Sequence, residues 1–275
     1  VAPAMNTGMY DNPVTQENLA ALRKRGFHII DRTQVTRLRD SGRGKLPDTP
    51  TLLWGIEKAL TEQDLAGRHV LVTAGPHRAM DPVRFLSNHS TGKMGYAIAA
   101  RAAMRGADAT LVSGPTASIR RTASLVWILF PRGIVQRGDE PRTRAGFIIK
   151  AAAVGDYRPA QTADEKLKKG DGEMNIELTR NPDILAALGK DKAEQLLCGF
   201  AMETQNLLDN AESKLRRKNC DMLVAIAARQ GRGFGTDTNI ATLLFADGHR
   251  EQPSIMSKAD LADLILDRLL GMSRR

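Results

Sequence analysis

Cysteine is scarce: the chain has two, Cys198 and Cys220, both inside apolar runs. Two thiols exclude a disulfide framework, and their apolar neighbours predict buried structural thiols in a reducing compartment. Aromatic residues make up only 4% of the 275 positions, too few for a succession of base-stacking platforms. No apolar run approaches the roughly 18 residues that would cross a bilayer, and no charged-then-apolar leader opens the chain. A soluble, cytoplasmic protein with no membrane partner is therefore expected. Two familiar phosphate loops are missing as well. Thr91-Gly92-Lys93-Met94 lacks the hydroxyl residue that follows lysine in a Walker A loop, and no G-x-G-x-x-G follows a strand. Acidic residues are outnumbered, 31 to 40, leaving a net charge of +9. Such an excess raises nucleic acid as a partner, but the basic residues are dispersed, and a phosphate-rich small substrate exploits the same field.

What is present begins with enough apolar material, 42% of the chain, for one large domain or two modest ones. His69 to Thr73 reads as a buried strand, Tyr96 to Arg105 as an Ala-rich helix and Ala109 to Ser113 as a second strand. Strand, loop, helix and strand at this spacing make a βαβ unit, hence an α/β fold with a parallel sheet and a right-handed crossover. The loop between strand and helix lies at the carboxyl end of the strand, where open α/β sheets bind ligands. Ser90, Thr91 and Gly92 stand where a helix N-terminus offers unpaired N–H groups to an anion, although a plain cap explains the same residues.

That loop reads Asp81-Pro82-Val83-Arg84-Phe85-Leu86-Ser87-Asn88-His89-Ser90-Thr91-Gly92-Lys93-Met94-Gly95. It resembles the signature of the phosphopantothenate–cysteine ligases, which in bacteria form the C-terminal half of a bifunctional coenzyme A biosynthesis protein. Further strings agree with the same family. Leu111 to Thr116 matches, as does Ile148 to Pro159, which contains Lys150, Ala151, Ala152 and Asp156. Glu165-Lys166-Leu167-Lys168-Lys169 resembles a mobile lid, and Asn181-Pro182-Asp183-Ile184 a helix start, with proline after an asparagine cap. Cys198 to Thr204, around Phe200, and Phe234 to Asn239 also match. A helix from Asn210 to Lys218 places Lys214 and Lys218 on one face. Gly146 to Val154 and Asp221 to Ile226 read as strands, Ile240 to Phe245 as an edge strand. The last helix opens with a capping box, Ser257 and Asp260, and carries Leu261, Leu264, Ile265 and Leu269 on one side.

The decarboxylase half of the same family is echoed only at the start. Pro3-Ala4-Met5-Asn6 resembles its substrate-recognition motif, with Asn6 as the remnant site residue. A helix from Pro13 to Arg25, a strand from Gly26 to Ile30 and a helix from Thr49 or Thr51 to Leu60 are predicted around it. The chain opens without methionine, in the manner of a fragment. Arg37 to Pro47 keeps a G-R-G string but has no cysteine to act as acid. Decarboxylation and FMN binding are accordingly not expected. The resemblance implies a Rossmann-like parallel sheet flanked by helices over 66–275, preceded over 1–65 by a truncated flavoprotein-like αβ segment, with a polar linker at 61–68.

Three places depart from the family. The loop from Thr73 to Asp81 is one residue short and lacks a glutamate, and Ile226 stands where asparagine is expected. Residues 117–145 align with nothing: they hold six arginines, no lysine and only Asp139 and Glu140 as acids, contributing +4 of the +9. Compensating frameshifts would leave such a bias between matching flanks, and the sheet is expected to lack a strand there.

The resemblance implies activation of a carboxylate by CTP, giving an acyl-cytidylate that cysteine then opens. Lys166, Lys214 and Lys218 would neutralise the triphosphate, Asp156 would hold ribose hydroxyls, and Phe200 with Asn181, Pro182, Asp183 and Ile184 would frame the base beside Lys150, Ala151 and Ala152. Asn88 would hold the acyl carbonyl; Arg84, with Ser90, Thr91 and Gly92, would face 4'-phosphopantothenate. Asn88 and Lys166 are the expected catalytic pair. Magnesium would ride on the phosphates, and a homodimer is expected. An inactive nucleotide-binding remnant and a basic nucleic-acid-binding protein are the competing readings.

Overall fold

The structure, a computed structural model, describes residues 1–30, 45–75, 81–114, 125–129, 146–168, 173–203, 205–227 and 237–274. The G-R-G string, the middle of the Thr73–Asp81 loop, most of 117–145, Lys169 and Phe234 to Thr236 lie outside the described residues.

Three helices come first: α1 (Thr7–Tyr10), α2 (Pro13–Lys24) and α3 (Thr49–Leu60). Asn6, Asn12 and Asp48 cap them, each side-chain oxygen accepting a backbone N–H of the first turn. The strand predicted from Gly26 to Ile30 does not form. Gly26 N and Phe27 N close the end of α2 by donating to Arg23 O and Leu22 O, and Val1 N donates to His28 O and Ile30 N to Val1 O; two isolated bonds to the chain start do not make a ladder.

A mixed sheet dominates the rest. In chain order its strands are β1 (His69–Ala74), β2 (Asp108–Ser113), β3 (Leu125–Leu129) and β4 (Phe147–Lys150), followed by β7 (Leu196–Glu203), β8 (Met222–Ala227), β10 (Ala241–Phe245) and β11 (Arg250–Glu251). Two small antiparallel pairs complete the numbering: β5 (Tyr157–Pro159) with β6 (Leu178–Arg180), and β9 (Thr238–Asn239) with β12 (Met256–Ser257). The spatial order is β11-β10-β8-β7-β4-β1-β2-β3. All pairs from β8 to β3 are parallel, and β10 and β11 add antiparallel edges. From β1 the chain steps outward to β2 and β3, then returns to the other side of β1 for β4. The topological switch point therefore lies between β1 and β4.

Helices cover both faces. On one, α4 (Lys93–Met104) and α7 (Lys258–Ser273) bury Ile98, Ala99, Ala102, Leu261, Ile265 and Leu269 completely against Val70, Val72, Leu111 and Ile149. On the other, α5 (Ile184–Lys190) and α6 (Leu207–Arg217) bury Leu185, Ala211 and Leu215 with Leu71, Ile148, Leu197 and Leu223. Successive strand residues thus face opposite layers, and strands buried on both sides read as continuous apolar runs. Each fully buried leucine or isoleucine contributes roughly 1.5–3 kcal/mol. Both thiols are free and buried.

Several sequence expectations need correcting. A strand does form inside 117–145: Leu125 to Leu129, a short apolar run, pairs in parallel with Ala109 to Ser113. The strand predicted to Val154 stops at Lys150, because the next backbone N–H groups leave the ladder: Ala151 N donates to Ile149 O, and Ala152 N to Thr73 Oγ1. β10 is not an edge, since β11 pairs outside it, and all five of its residues are buried. Helix α5 is capped by Asp183, whose Oδ1 accepts from Ala186 N, so Asn181 and Pro182 precede the cap. Helix α4 begins at Lys93, three residues before the predicted Tyr96. The supposed linker is anchored: Leu65 is fully buried, and Asp64 accepts from Nε and Nη2 of Arg105 at 2.9 and 2.5 Å. Among the described residues, no helix is long and apolar enough to cross a membrane.

Candidate functional site

Helix α4 arrives at the end of β1 in unusually close contact. A Cβ on Gly95 would lie 2.7 Å from Ala74 Cβ and 2.8 Å from Thr73 O, so only glycine lets the first turn seat there. The residue before the helix, Gly92, has φ 75°, and no side chain caps the N-terminus. Ser90 and Thr91 thus do not act as side-chain caps of α4, and the positive end of the helix dipole lies at these residues.

The loops after β1 and β4 are stitched across the switch point. Asn88 Nδ2 donates to Ala153 O at 2.8 Å, and its Oδ1 accepts from Ser90 N at 3.0 Å. Ala152 N donates to Thr73 Oγ1 at 3.1 Å, and Ala153 N to Gly75 O at 3.2 Å. A cleft of about 200 Å³ opens beside this seam. Its floor is the start of α4 and residues 150–154; its walls come from Phe200 to Met202, Lys214, Ile226, Asn239 and Lys258.

Among the described residues the cleft lining holds four lysines, Lys93, Lys150, Lys214 and Lys258, and no carboxylate; Asp237, outside the lining, pairs with Lys93 at 2.7 Å. Lys150 Nζ donates to Ala152 O and Lys214 Nζ to Phe200 O, each at 2.9 Å. Burial, and then the neighbouring Lys214 charge, bring the Lys150 ammonium down to about 8. Burial likewise lowers Lys214, and burial followed by the charge of Lys93 lowers Lys258. Clustered, partly desolvated ammonium groups favour an incoming anion.

Of the residues singled out from sequence, Ser90, Thr91, Gly92, Lys150, Ala151, Ala152, Phe200 and Lys214 meet in this cleft. Asn88 lines an adjoining hollow of about 150 Å³ with Leu86, Ser87, Gly155, Tyr157, Arg158 and Pro159. Asn181 has a positioning place: Nδ2 donates to Gly155 O at 2.7 Å, its backbone N to Asp156 O at 2.8 Å, and Oδ1 accepts from Arg158 Nη1 at 3.0 Å. Asp183 caps α5 and pairs with Lys218. Pro182 and Ile184 flank it outside the cleft lining, and Asp156 is exposed nearby.

Arg84 is engaged elsewhere. Its Nε donates to Asp81 Oδ2 at 2.9 Å and its Nη2 to Leu167 O at 2.5 Å, while Leu167 N donates to Asp81 Oδ2 at 3.4 Å. The base of the lysine-rich excursion is therefore latched to the first loop, with Lys166 exposed and outside both hollows. Asn6 sits far back in the sequence, capping α1.

Sequence reasoning missed Lys93, Lys258 and the cleft-facing role of Asn239. One signal was available: Lys93 opens α4 and Lys258 opens α7, positions where the helix dipole disfavours a cation. A lysine at that end of a helix is better explained by an anion than by the helix itself. Among the described residues, no group of three or more metal-ligating side chains gathers.

Comparison with known proteins follows the same outline. Residues 65–272 match the model described as DNA/pantothenate metabolism flavoprotein C-terminal domain, and residues 1–61 the model described as Flavoprotein. The chain is 40% identical over 284 residues to the coenzyme A biosynthesis bifunctional protein CoaBC of Bacillus subtilis, an alignment spanning 100% of this chain and 70% of that protein. It is 38% identical over 284 residues to a cysteine/cysteine sulfinic acid decarboxylase from an unknown prokaryotic organism, spanning 99% of this chain and 79% of that one. Among solved structures, the C-terminal domain of a CoaBC protein superposes with a TM-score of 0.65 at 37% identity, covering 77% of this chain and 98% of that chain.

Proposed function

We propose that this chain, which belongs to the DNA/pantothenate metabolism flavoprotein C-terminal domain family, serves coenzyme A biosynthesis by joining 4'-phosphopantothenate to L-cysteine at the expense of CTP. The observation that carries the reading is the cleft at the switch point, with four lysines, a helix N-terminus that no side chain caps and, among the described residues, no carboxylate in its lining. That is a receptor for a polyanion.

On this reading Lys150 and Lys214 take the phosphates, with Lys218 behind them on Asp183. Asp156 meets the ribose, and Phe200 with the 181–184 turn frames the base. Ser90, Thr91 and Gly92 lie at the junction of the two hollows, and the pantothenate arm lies in the smaller one beside Asn88. Magnesium enters with the triphosphate as part of the substrate, since the lining offers no carboxylate to cage it. A carboxylate oxygen of phosphopantothenate attacks the α-phosphorus, and the bond to the bridging oxygen breaks, releasing pyrophosphate. The neutral amine of cysteine then attacks the acyl carbon. A C–N bond forms, the bond from that carbon to the cytidylate oxygen breaks, CMP leaves with the electron pair, and nitrogen yields a proton to solvent. Catalysis is positioning and charge neutralisation.

Decarboxylation has less support, because the stretch 37–47 has no cysteine and the chain's two thiols are buried in the sheet. An inactive nucleotide-binding protein is the second reading, favoured by Ile226 in the cleft wall and the shortened loop after β1.

Two variants divide the labour. Lys166→Gln is expected to abolish pyrophosphate release from CTP and phosphopantothenate without cysteine, because the lid charge acts as pyrophosphate departs. Asn88→Asp is expected to leave CTP affinity nearly unchanged while slowing transfer to cysteine, since it replaces the donor to Ala153 with an acceptor. Calorimetry of CTP binding beside pyrophosphate release reads both. Loss of CTP binding in Asn88→Asp, with parent-rate release in Lys166→Gln, would sink the assignment. A parent that binds CTP and releases nothing would establish the inactive reading.

A further inference from the structure

The β8 side of the cleft is built from different chemistry than the β4 side. Ala241 pairs with Ile226, so Asn239, two residues earlier, lies past the carboxyl end of β8. It is 3% exposed and lines the cleft with Met94, Met202, Ile226 and Lys258. Among the described residues, no donor reaches its Oδ1. The other end of the amide is held: Nδ2 donates to Met94 Sδ at 3.5 Å. A thioether accepts hydrogen bonds and cannot donate them, so this contact keeps the NH₂ on sulfur and leaves the carbonyl oxygen as the orphan. Buried orphan acceptors cost free energy and call for an explanation.

A phosphate does not supply one, because its oxygens are acceptors at neutral pH. The orphan needs a donor. Two cations also converge here. Lys93 Nζ donates to the exposed Asp237 Oδ1 at 2.7 Å, the backbone N of Lys258 donates to Asp237 O at 2.9 Å, and both lysine side chains belong to residues lining this end of the cleft. A ligand matching this corner carries an ammonium for Asn239 and an anionic group for the lysines, a few ångströms apart. An α-amino acid zwitterion is such a molecule. The apolar remainder of the corner, Met94, Met202 and Ile226, suits a small soft side chain such as a thiol.

We propose that Asn239 is the amine-binding residue of the amino-acid subsite, its Oδ1 receiving the α-ammonium of cysteine while Lys258 and Lys93 face the α-carboxylate. The inference rests on the ligase reading for the identity of the amino acid, and on the orphaned carbonyl for the site. It gives Asn239 a role separate from the nucleotide side of the cleft, where Lys150 and Lys214 stand.

The test uses Asn239→Leu, which removes the acceptor at similar volume, and Asn239→Asp, which keeps an acceptor and adds charge. In Asn239→Leu the KM for cysteine is expected to rise about tenfold or more, the loss typical of a hydrogen bond to a charged group. The loss is expected to be confined to the cysteine-dependent step, with pyrophosphate release at saturating CTP serving as the internal reference. Asn239→Asp is expected to hold the cysteine KM within about threefold, because a carboxylate also receives an ammonium. Met94→Leu, which frees the amide to rotate, is expected to fall between them. An unchanged cysteine KM in Asn239→Leu would overturn the proposal, as would an equal loss of CTP affinity, which would put Asn239 in the nucleotide site. Direct calorimetry of cysteine binding to parent and variants is run alongside. If the parent releases no pyrophosphate, the ligase reading fails by itself, and equal cysteine binding by parent and Asn239→Leu would separately dismiss the subsite.

Discussion

Lys150 shows how a single side chain couples the fold to the ligand. It ends β4 pointing into a cleft that already holds Lys214, and its ammonium is brought down to about 8 by burial and by that neighbour. The unfolded chain keeps an ordinary lysine near 10.4. Between those values the unfolded state binds more protons than the folded one, so stability is expected to rise with pH across that window. By linkage the gain is on the order of 3 kcal/mol at most. Ligand binding runs the other way. A triphosphate favours the charged amine, so binding CTP above pH 8 is expected to take up a proton, and affinity to weaken as pH climbs toward 10. Calorimetry at pH 9 in buffers of different ionisation enthalpy reads the uptake directly. Lys150→Met is expected to abolish it and to flatten the rise in stability; uptake persisting in that variant would assign the proton to Lys214 or Lys258 instead.

At the level of elements, the excursion that carries Lys166 is held by one carboxylate. Burial would raise Asp81, yet N–H donors from Val83, Arg84 and Leu167 and the Arg84 side chain outweigh it and hold the group down to about 2. Its contribution is therefore present above the ordinary carboxylate pKa and is lost only as pH falls through that low folded value, so the latch is expected to be insensitive to pH from 5 upward. Asp81→Ala is expected to release the excursion, speeding limited trypsin cleavage at Lys166 and Lys168 several-fold at neutral pH, with CTP restoring protection. Equal cleavage rates in parent and variant would show that the latch does not restrain it. Elements of this kind differ in how readable they are from sequence. The β1–α4–β2 unit was legible because doubly buried parallel strands are unbroken apolar runs, here on either side of an Ala-rich helix. β3 was not, since no family motif survives across 117–145; Leu125 to Leu129 forms a strand on local apolarity and the open place beside β2. The strand expected at Gly26 to Ile30 had the composition but finds no sheet to join among the described residues. In the site, Lys150 and the Ser90–Gly92 loop were carried by matching strings and Lys214 by helix-face spacing, whereas the cleft-facing places of Lys258 and Asn239 come from the packing of α7 and the turn into β10, which no local pattern encodes.

For the whole molecule, the open question is what covers the loop from Val83 to Leu86. Val83, Phe85 and Leu86 are 58%, 54% and 47% exposed, and Tyr157 and Leu178 on the β5–β6 pair are nearly as open. Leu86 and Tyr157 line the same small hollow, and the latch brings Leu167 against the same loop. These side chains thus belong to one apolar area at the rim of the candidate site, the kind of patch that marks an interface rather than a solvated surface. A second copy of the chain is the occupant we propose. A stable isologous contact hides on the order of 800 Å² per partner, which the loop, the β5–β6 pair and the latched excursion would have to supply together. The pairing would also place the Asn88 hollow at the subunit boundary, so that assembly and substrate access share residues. Light scattering of the purified chain is expected to give a dimer, and Phe85→Asp to shift it toward monomer at micromolar concentration while melting within a few degrees of the parent, because Phe85 contributes little to either buried core. A monomeric parent would dismiss the pairing, and a Phe85→Asp protein that remained fully dimeric would move the interface to another face.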